Sequence, residues 1–196
     1  MAAEEKKLAK RIKLIEAAYD LFTGKGINLT AIDEVVKLAG VAKGTFYLYF
    51  KDKYDLLDQI IISKSEGVLQ KALEELEKQN SEKTLSPADK LIYFSDSIVS
   101  SLIRNRRLVS LIQKNLSAFH TLILSGTDTR LGASVARLEE IFISGGFSRE
   151  DAEKYLYILT AALGSVSCDC VLSGKPYSID EVKPCFHYII KSIFRE

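Results

Sequence analysis

The chain has 196 residues, of which 47% are hydrophobic and 27% charged, and its formal net charge at pH 7 is +1. That is enough apolar material for one large domain or two small ones beneath a soluble surface. No uninterrupted apolar run approaches the roughly 20 residues of a membrane span, and the near-neutral charge gives no sign of a nucleic-acid partner, many of whose binders are far more basic.

The opening residues, MAAEEKKLAKR, are charged and lack an apolar core, so no signal peptide is expected and the location reads as cytoplasmic. Lys6, Lys7, Lys10, Arg11 and Lys13 crowd this end. They suit either a segment facing phosphates or a solvated helix start balanced by Glu4 and Glu5. A first helix is predicted from Lys7 to Lys25, with Leu8, Ile12, Ile15, Ala18, Tyr19 and Phe22 as its apolar stripe. Gly24 and Gly26 close it.

The next stretch, LTAIDEVVKLAGVAKGTFYLYFKDK from Leu29 to Lys53, reads as two short helices joined by a tight turn. Thr30 is placed to cap the first, with Asp33 reaching back as a capping box, and Thr30 is also a candidate DNA contact. Ile32, Val35, Val36 and Ala39 recur at helical spacing. Gly40 ends the helix where a left-handed residue is needed, and Val41 plugs the turn. A second helix of about two turns follows, in the position that enters a DNA major groove in a helix-turn-helix. Lys43, Gly44 and Thr45 at its start are the candidate base readers: a donor for guanine, a site of close backbone approach, and a hydroxyl and methyl for phosphate or thymine. Tyr47, Tyr49 and Lys53 are candidate phosphate anchors, while Phe46 and Phe50 should pack inward. A helix pair of this kind also occurs in ordinary bundles, where the tyrosines would be core-edge residues.

At AGVAKGTFYLYFKDKYDLL the chain resembles the signature of the TetR family of bacterial transcriptional repressors, which commonly reads close to AGVSKGTLYHYFxSKEELL. The resemblance runs over about Lys10 to Ile60. It implies an all-α fold: an N-terminal helix-turn-helix DNA-binding domain of three helices, and a larger C-terminal helical domain for ligand binding and dimerisation. It also implies a homodimer on a palindromic double-stranded DNA operator, released when a small-molecule effector enters the C-terminal domain. Two departures stand out. Ala42 replaces the usual serine, removing a side-chain cap for the second helix, and Ala31 stands where a second threonine is frequent.

The division is expected at residues 1–52 and 53–196. A long helix capped by Asp52 and reaching about Gln79 links them, as the natural lever between the two. After the loop Asn80 to Pro87, a helix is predicted from Pro87 to about Arg104 behind the Ser86 cap. Further helices are expected at about Leu108 to Leu124, Thr127 to Ser144, from Ser148 to about Ser173, and Asp180 to Phe194. The three arginines between Arg104 and Arg107 read as a solvated break or an anion site.

The middle helices should surround the effector, and Phe94, Asn115, Phe119, His120, Tyr157 and Thr160 are the candidate lining. The absence of tryptophan and scarcity of buried charge suggest a largely apolar effector. Within the resemblance, the last two helices form the dimer interface, which would use Tyr155, Leu159, Leu163, Val166, Phe186, Ile189, Ile190 and Ile193; simple intrachain core is the competing role. Cys168 and Cys170, two apart on a helix, point to nearly opposite sides and do not pair. With Cys185 they read as core thiols, and no metal or cofactor is expected. No phosphate-cradling loop or catalytic unit appears, so an enzyme is not expected. The alternative to a DNA-binding regulator is a helical interaction protein of the same fold that does not bind DNA.

Overall fold

The computed structural model describes residues 2–115 and 129–195, and every regular element among them is an α-helix. The chain divides into two compact units, Met1–Lys64 and Ser65–Glu196.

The first unit holds α1 (Ala2–Lys25), α2 (Ile32–Ala39), α3 (Lys43–Tyr47) and the first turns of α4 (Lys53–Glu82). Helix α1 starts earlier than the sequence suggests, and its apolar stripe is buried only from its middle onward. Leu8 and Ile12 are exposed, whereas Leu14, Ile15, Ala18, Tyr19 and Phe22 are buried. They share a core with Val35, Val36 and Ala39 of α2, Phe46 of α3, Phe50, and Leu56, Leu57 and Ile60 of α4. Asp52 caps α4 as expected: its carboxylate accepts from the amides of Tyr54 at 2.7 Å and Asp55 at 2.9 Å. Lys64 closes the unit against α1, bonded to Glu16 at 2.8 Å and lying over the Tyr19 ring.

The second unit holds the remainder of α4 with α5 (Pro87–Arg104), α6 (Arg106–Lys114), α7 (Thr129–Ser144), α8 (Arg149–Leu172) and α9 (Ile179–Phe194). Residues 116–128, which hold the expected end of one helix at about Leu124 and the expected start of the next at Thr127, lie outside the described ones. Caps set the boundaries. Ser86 accepts from the Asp89 amide ahead of Pro87, Asn105 both ends α5 and caps α6, and Ser148 accepts from the Asp151 amide. The arginine-rich break is therefore one residue wide, and Arg106 donates to the Leu172 carbonyl of α8. Helix α9 starts with a reciprocal cap in which Glu181 accepts from the Ser178 amide and hydroxyl.

By length and composition α8 is long and apolar enough to cross a membrane, with a stretch of mean hydropathy 1.5. Asp169 is the one charge that interrupts its apolar stretch from Tyr155 to Leu172. Ala152, Leu156, Leu159, Cys168 and Val171 are buried among α5, α6, α7 and α9. Burial, then the charge of Asp169, pushes the Cys168 thiol up to about 11, so this cysteine behaves as a small apolar group. Where α7 turns into α8, Phe142, Phe147, Tyr155 and Phe194 form an aromatic cluster. A Cβ on Gly145 would meet the Phe194 ring at 2.5 Å, so only glycine lets α9 end there without displacing that ring. Asp96 of α5 ties to α9 by accepting from Lys183 at 3.0 Å and lying 2.9 Å from the His187 ring nitrogen.

Candidate nucleic-acid interface

The helix-turn-helix forms, with its start shifted by one residue from the expectation. Ala31, not Thr30, holds the extended N-cap position of α2, and Glu34 rather than Asp33 reaches back, accepting from the Ala31 amide at 2.9 Å. Lys25 donates to the same carboxylate at 2.6 Å, and together these partners hold Glu34 below the usual carboxylate range. Thr30 is buried, and its hydroxyl donates to the Gly26 carbonyl at 2.8 Å. It therefore builds the loop rather than presenting a phosphate donor. Gly40 takes the left-handed conformation (φ 65°), its amide donates to the Lys37 carbonyl at 3.2 Å and the Val41 amide to the Val36 carbonyl at 3.0 Å, the bond pair that lets a chain reverse after α2.

Helix α3 is a five-residue segment, shorter than predicted, and its N-cap Ala42 offers no side-chain cap. What holds it is its inner face. Phe46 is fully buried and packs on Phe50 and edge-on against Tyr47, with ring centroids 5.6 and 5.2 Å apart. The outer face presents Lys43, Gly44, Tyr47 and Leu48, with Thr45 half-buried. Gly44 has open space where a Cβ would stand. Nothing in the chain requires a glycine there, so any close approach comes from outside.

The remaining expected anchors face inward. Tyr49 donates from its hydroxyl to the Lys7 carbonyl of α1 at 3.0 Å. Lys53 donates to the Ile27 carbonyl at 2.9 Å and lies 3.4 Å from those of Asn28 and Thr30. Its ammonium closes the loop before α2 instead of standing free for a phosphate. Replacing Lys53 with methionine is accordingly expected to destabilise the first unit by about 1.5–3 kcal/mol, the range for a hydrogen bond to a charged group. Denaturant unfolding measures that loss. A phosphate contact would instead leave stability unchanged and flatten the salt dependence of DNA binding.

Two residues at this face carry more than the sequence reading assigned them. Asp33, in the first turn of α2, bonds Lys43 at 2.7 Å, and both side chains are more than half exposed. That bond and charge raise the Lys43 pKa above its ordinary value. Leu48 is 77% exposed at the end of α3, a large apolar group with no place in the core. Nothing in the ten-residue spacing of Asp33 and Lys43 announced their pairing; it depends on how the turn sets α2 against α3.

Four of the six expected effector-lining residues lie among the described ones. Phe94 is buried in the core of the second unit, Tyr157 is 53% exposed, and Asn115 ends α6 by donating to the Leu111 carbonyl. Thr160 donates back to Leu156 within its own helix. Phe119 and His120 lie outside the described residues. An open cavity of about 770 Å³ lies elsewhere, against the aromatic cluster and lined by Phe147, Tyr155, Tyr188 and Ile193 among others.

The expected dimer residues divide into two groups. Leu159, Phe186 and Ile190 are buried in the chain's own core, with Tyr155, Leu163 and Ile193 packed on it. Val166 is half-buried. Of the eight, Ile189 is the one well exposed, and its exposed apolar neighbours are Tyr157 and Ile158 on α8 and Tyr188 on α9. The intrachain core thus encloses Leu159, Phe186 and Ile190, three of the eight.

Residues 14–60 match the family model described as bacterial regulatory proteins, tetR family. A curated relative, the HTH-type transcriptional regulator YhgD of Bacillus subtilis (strain 168), is 42% identical over 77 residues, covering 39% of this chain and 38% of the relative. The match thus spans well under half the length of the relative. Two solved structures share the whole fold. FadR from Bacillus subtilis, in complex with stearoyl-CoA, aligns with a TM-score of 0.61 at 18% identity, covering 91% of this chain and 96% of that one. RolR, in complex with resorcinol, aligns with a TM-score of 0.65 at 21% identity, covering 97% and 89%. At such identities these structures speak for the fold alone. The helix-turn-helix built on Gly40 and Phe46 lies within residues 14–60, so it is this segment that matches the tetR family of bacterial regulatory proteins, while the all-helical architecture is shared with the solved structures.

Proposed function

We propose that the protein is a ligand-responsive transcriptional repressor that binds a palindromic DNA operator as a homodimer and leaves it when a small molecule binds the second unit. The observation that carries this reading is the outer face of α3, where Lys43, Gly44 and Tyr47 stand exposed on a helix whose inner face is locked by Phe46. Two such helices reach successive major grooves when two copies associate. The exposed apolar residues of α8 and α9 suit that association.

The structural neighbours crystallised with stearoyl-CoA and resorcinol support a small-molecule effector, and the apolar second unit suits a largely apolar one. Lining by the middle helices, with Phe94, Asn115, Phe119, His120, Tyr157 and Thr160 as first candidates, is part of this proposal. So is a cytoplasmic location without enzymatic activity, as for a regulator that meets chromosomal DNA. Whatever factor the effector takes from DNA affinity, DNA takes from effector affinity.

The test is selection of bound fragments from genomic DNA, followed by anisotropy titration of the recovered duplex at several salt concentrations. The proposal expects a pseudopalindromic site bound by two chains, with Tyr47→Phe and Lys43→Met each weakening it. A protein that retains no fragment and shows no salt-dependent affinity for duplex DNA is the helical interaction protein of the alternative reading.

A further inference from the structure

The pair formed by Asp33 and Lys43 is an odd thing to find on a surface meant for a polyanion. Lys43 opens α3, where a cation gains most from DNA, yet its ammonium is 2.7 Å from a carboxylate of α2. The neighbouring acid, Glu34, has a structural task, because it caps the Ala31 amide and bonds Lys25. The pair costs little to break, since both groups are well solvated and exposed ion pairs are weak. It also changes what Lys43 does to DNA at a distance. A lysine that must leave a carboxylate to reach a phosphate gains less from that contact than a free one does.

We propose that Asp33 is an internal counterion that withholds Lys43 from the phosphate backbone. The assignment rests on the DNA-binding reading of α3. Lys43 then contributes little to binding of arbitrary sequence and exchanges Asp33 for a base-edge acceptor only where one is presented, such as guanine O6 or N7. Asp33 thereby suppresses binding to the vast excess of non-specific sites, which sets the useful specificity of a regulator. A carboxylate this close to the groove also repels phosphate in every complex, but that effect does not depend on Lys43.

The dependence on Lys43 gives the experiment. The full chain, D33N, K43M and the double variant are titrated against a fluorescein-labelled 30-base-pair duplex of random sequence over a range of salt. In the wild-type background, D33N is expected to tighten binding by about three- to tenfold at about 50 mM salt and to steepen the salt slope by about 0.9, one additional phosphate contact. In the K43M background the same substitution should change affinity less than twofold and leave the slope alone. Equal effects in both backgrounds would reduce Asp33 to simple through-space repulsion and overturn the proposal. Weaker binding by D33N would overturn it in the other direction, making Asp33 a residue that aims Lys43. Absence of any salt-dependent binding by the wild-type chain would remove the DNA-binding reading itself, and the proposal with it. Thermal melting of each variant confirms that the first unit is folded.

Discussion

Replacing Phe46 with alanine is expected to cost about 3–5 kcal/mol and to abolish DNA binding, the largest loss anticipated for any single residue of the first unit. The ring is fully buried and touches both Tyr47 and Phe50. It is also the chief attachment of α3, a helix of five residues with no side-chain cap at its start. An isolated helix of that length has no stability of its own, so its conformation comes from the packing of one ring. Marginal domain stability, about 5–15 kcal/mol in total, leaves little reserve against such a deletion. Denaturant unfolding and duplex titration on the same sample provide the check. If binding survives with a stability loss below about 1 kcal/mol, far less than a buried ring normally costs, α3 is held by something other than Phe46.

The second large effect belongs to the second unit. Ile158→Glu combined with Ile189→Glu is expected to leave a folded monomer at micromolar concentration and to weaken operator binding by about 10²- to 10⁴-fold. That factor is what two linked contacts gain over one when both halves of a palindrome are engaged at once. Both residues are about half exposed in the chain, so charge is tolerated in the monomer and rejected in an apolar interface. Sedimentation velocity reads the mass directly. Leu159→Glu and Ile190→Glu provide the contrast: these neighbouring side chains are buried and their replacement should unfold the unit. A persistent dimer in the double variant would move the interface elsewhere on the surface.

That contrast also shows where the sequence was legible and where it was not. The all-helical fold, the α2–α3 turn at Gly40, the inward Phe46 and Phe50, and the caps at Asp52, Ser86 and Ser148 depend on local chemistry, and local chemistry is visible in sequence. Helix α8 is another matter. Apolar residues surround it, so Leu159 and Ile158 look equally suited to either a partner or the core. Only the packing of α5, α7 and α9 decides that Leu159 goes inside. Thr30 and Ala31 differ by one position, yet that step moves the cap acceptor from Asp33 to Glu34 and frees Asp33 to meet Lys43. Lys53 was the least legible. A basic residue after an aromatic cluster suggests a phosphate anchor, and nothing local reveals three carbonyls more than twenty positions earlier converging on its ammonium.

That convergence has a mechanical meaning. Lys53 opens α4, and the carbonyls it gathers belong to the segment leading into α2, so the beginning of one helix and the approach to another share a single cationic knot. Tyr49 adds a second knot by fastening the end of the α3 turn to the first turns of α1. A twist applied to the first turn of α4 is therefore taken up by α1, α2 and α3 together. The exposed face of α3 is thereby tied to α1, to the approach to α2 and to the start of α4 through these two side chains.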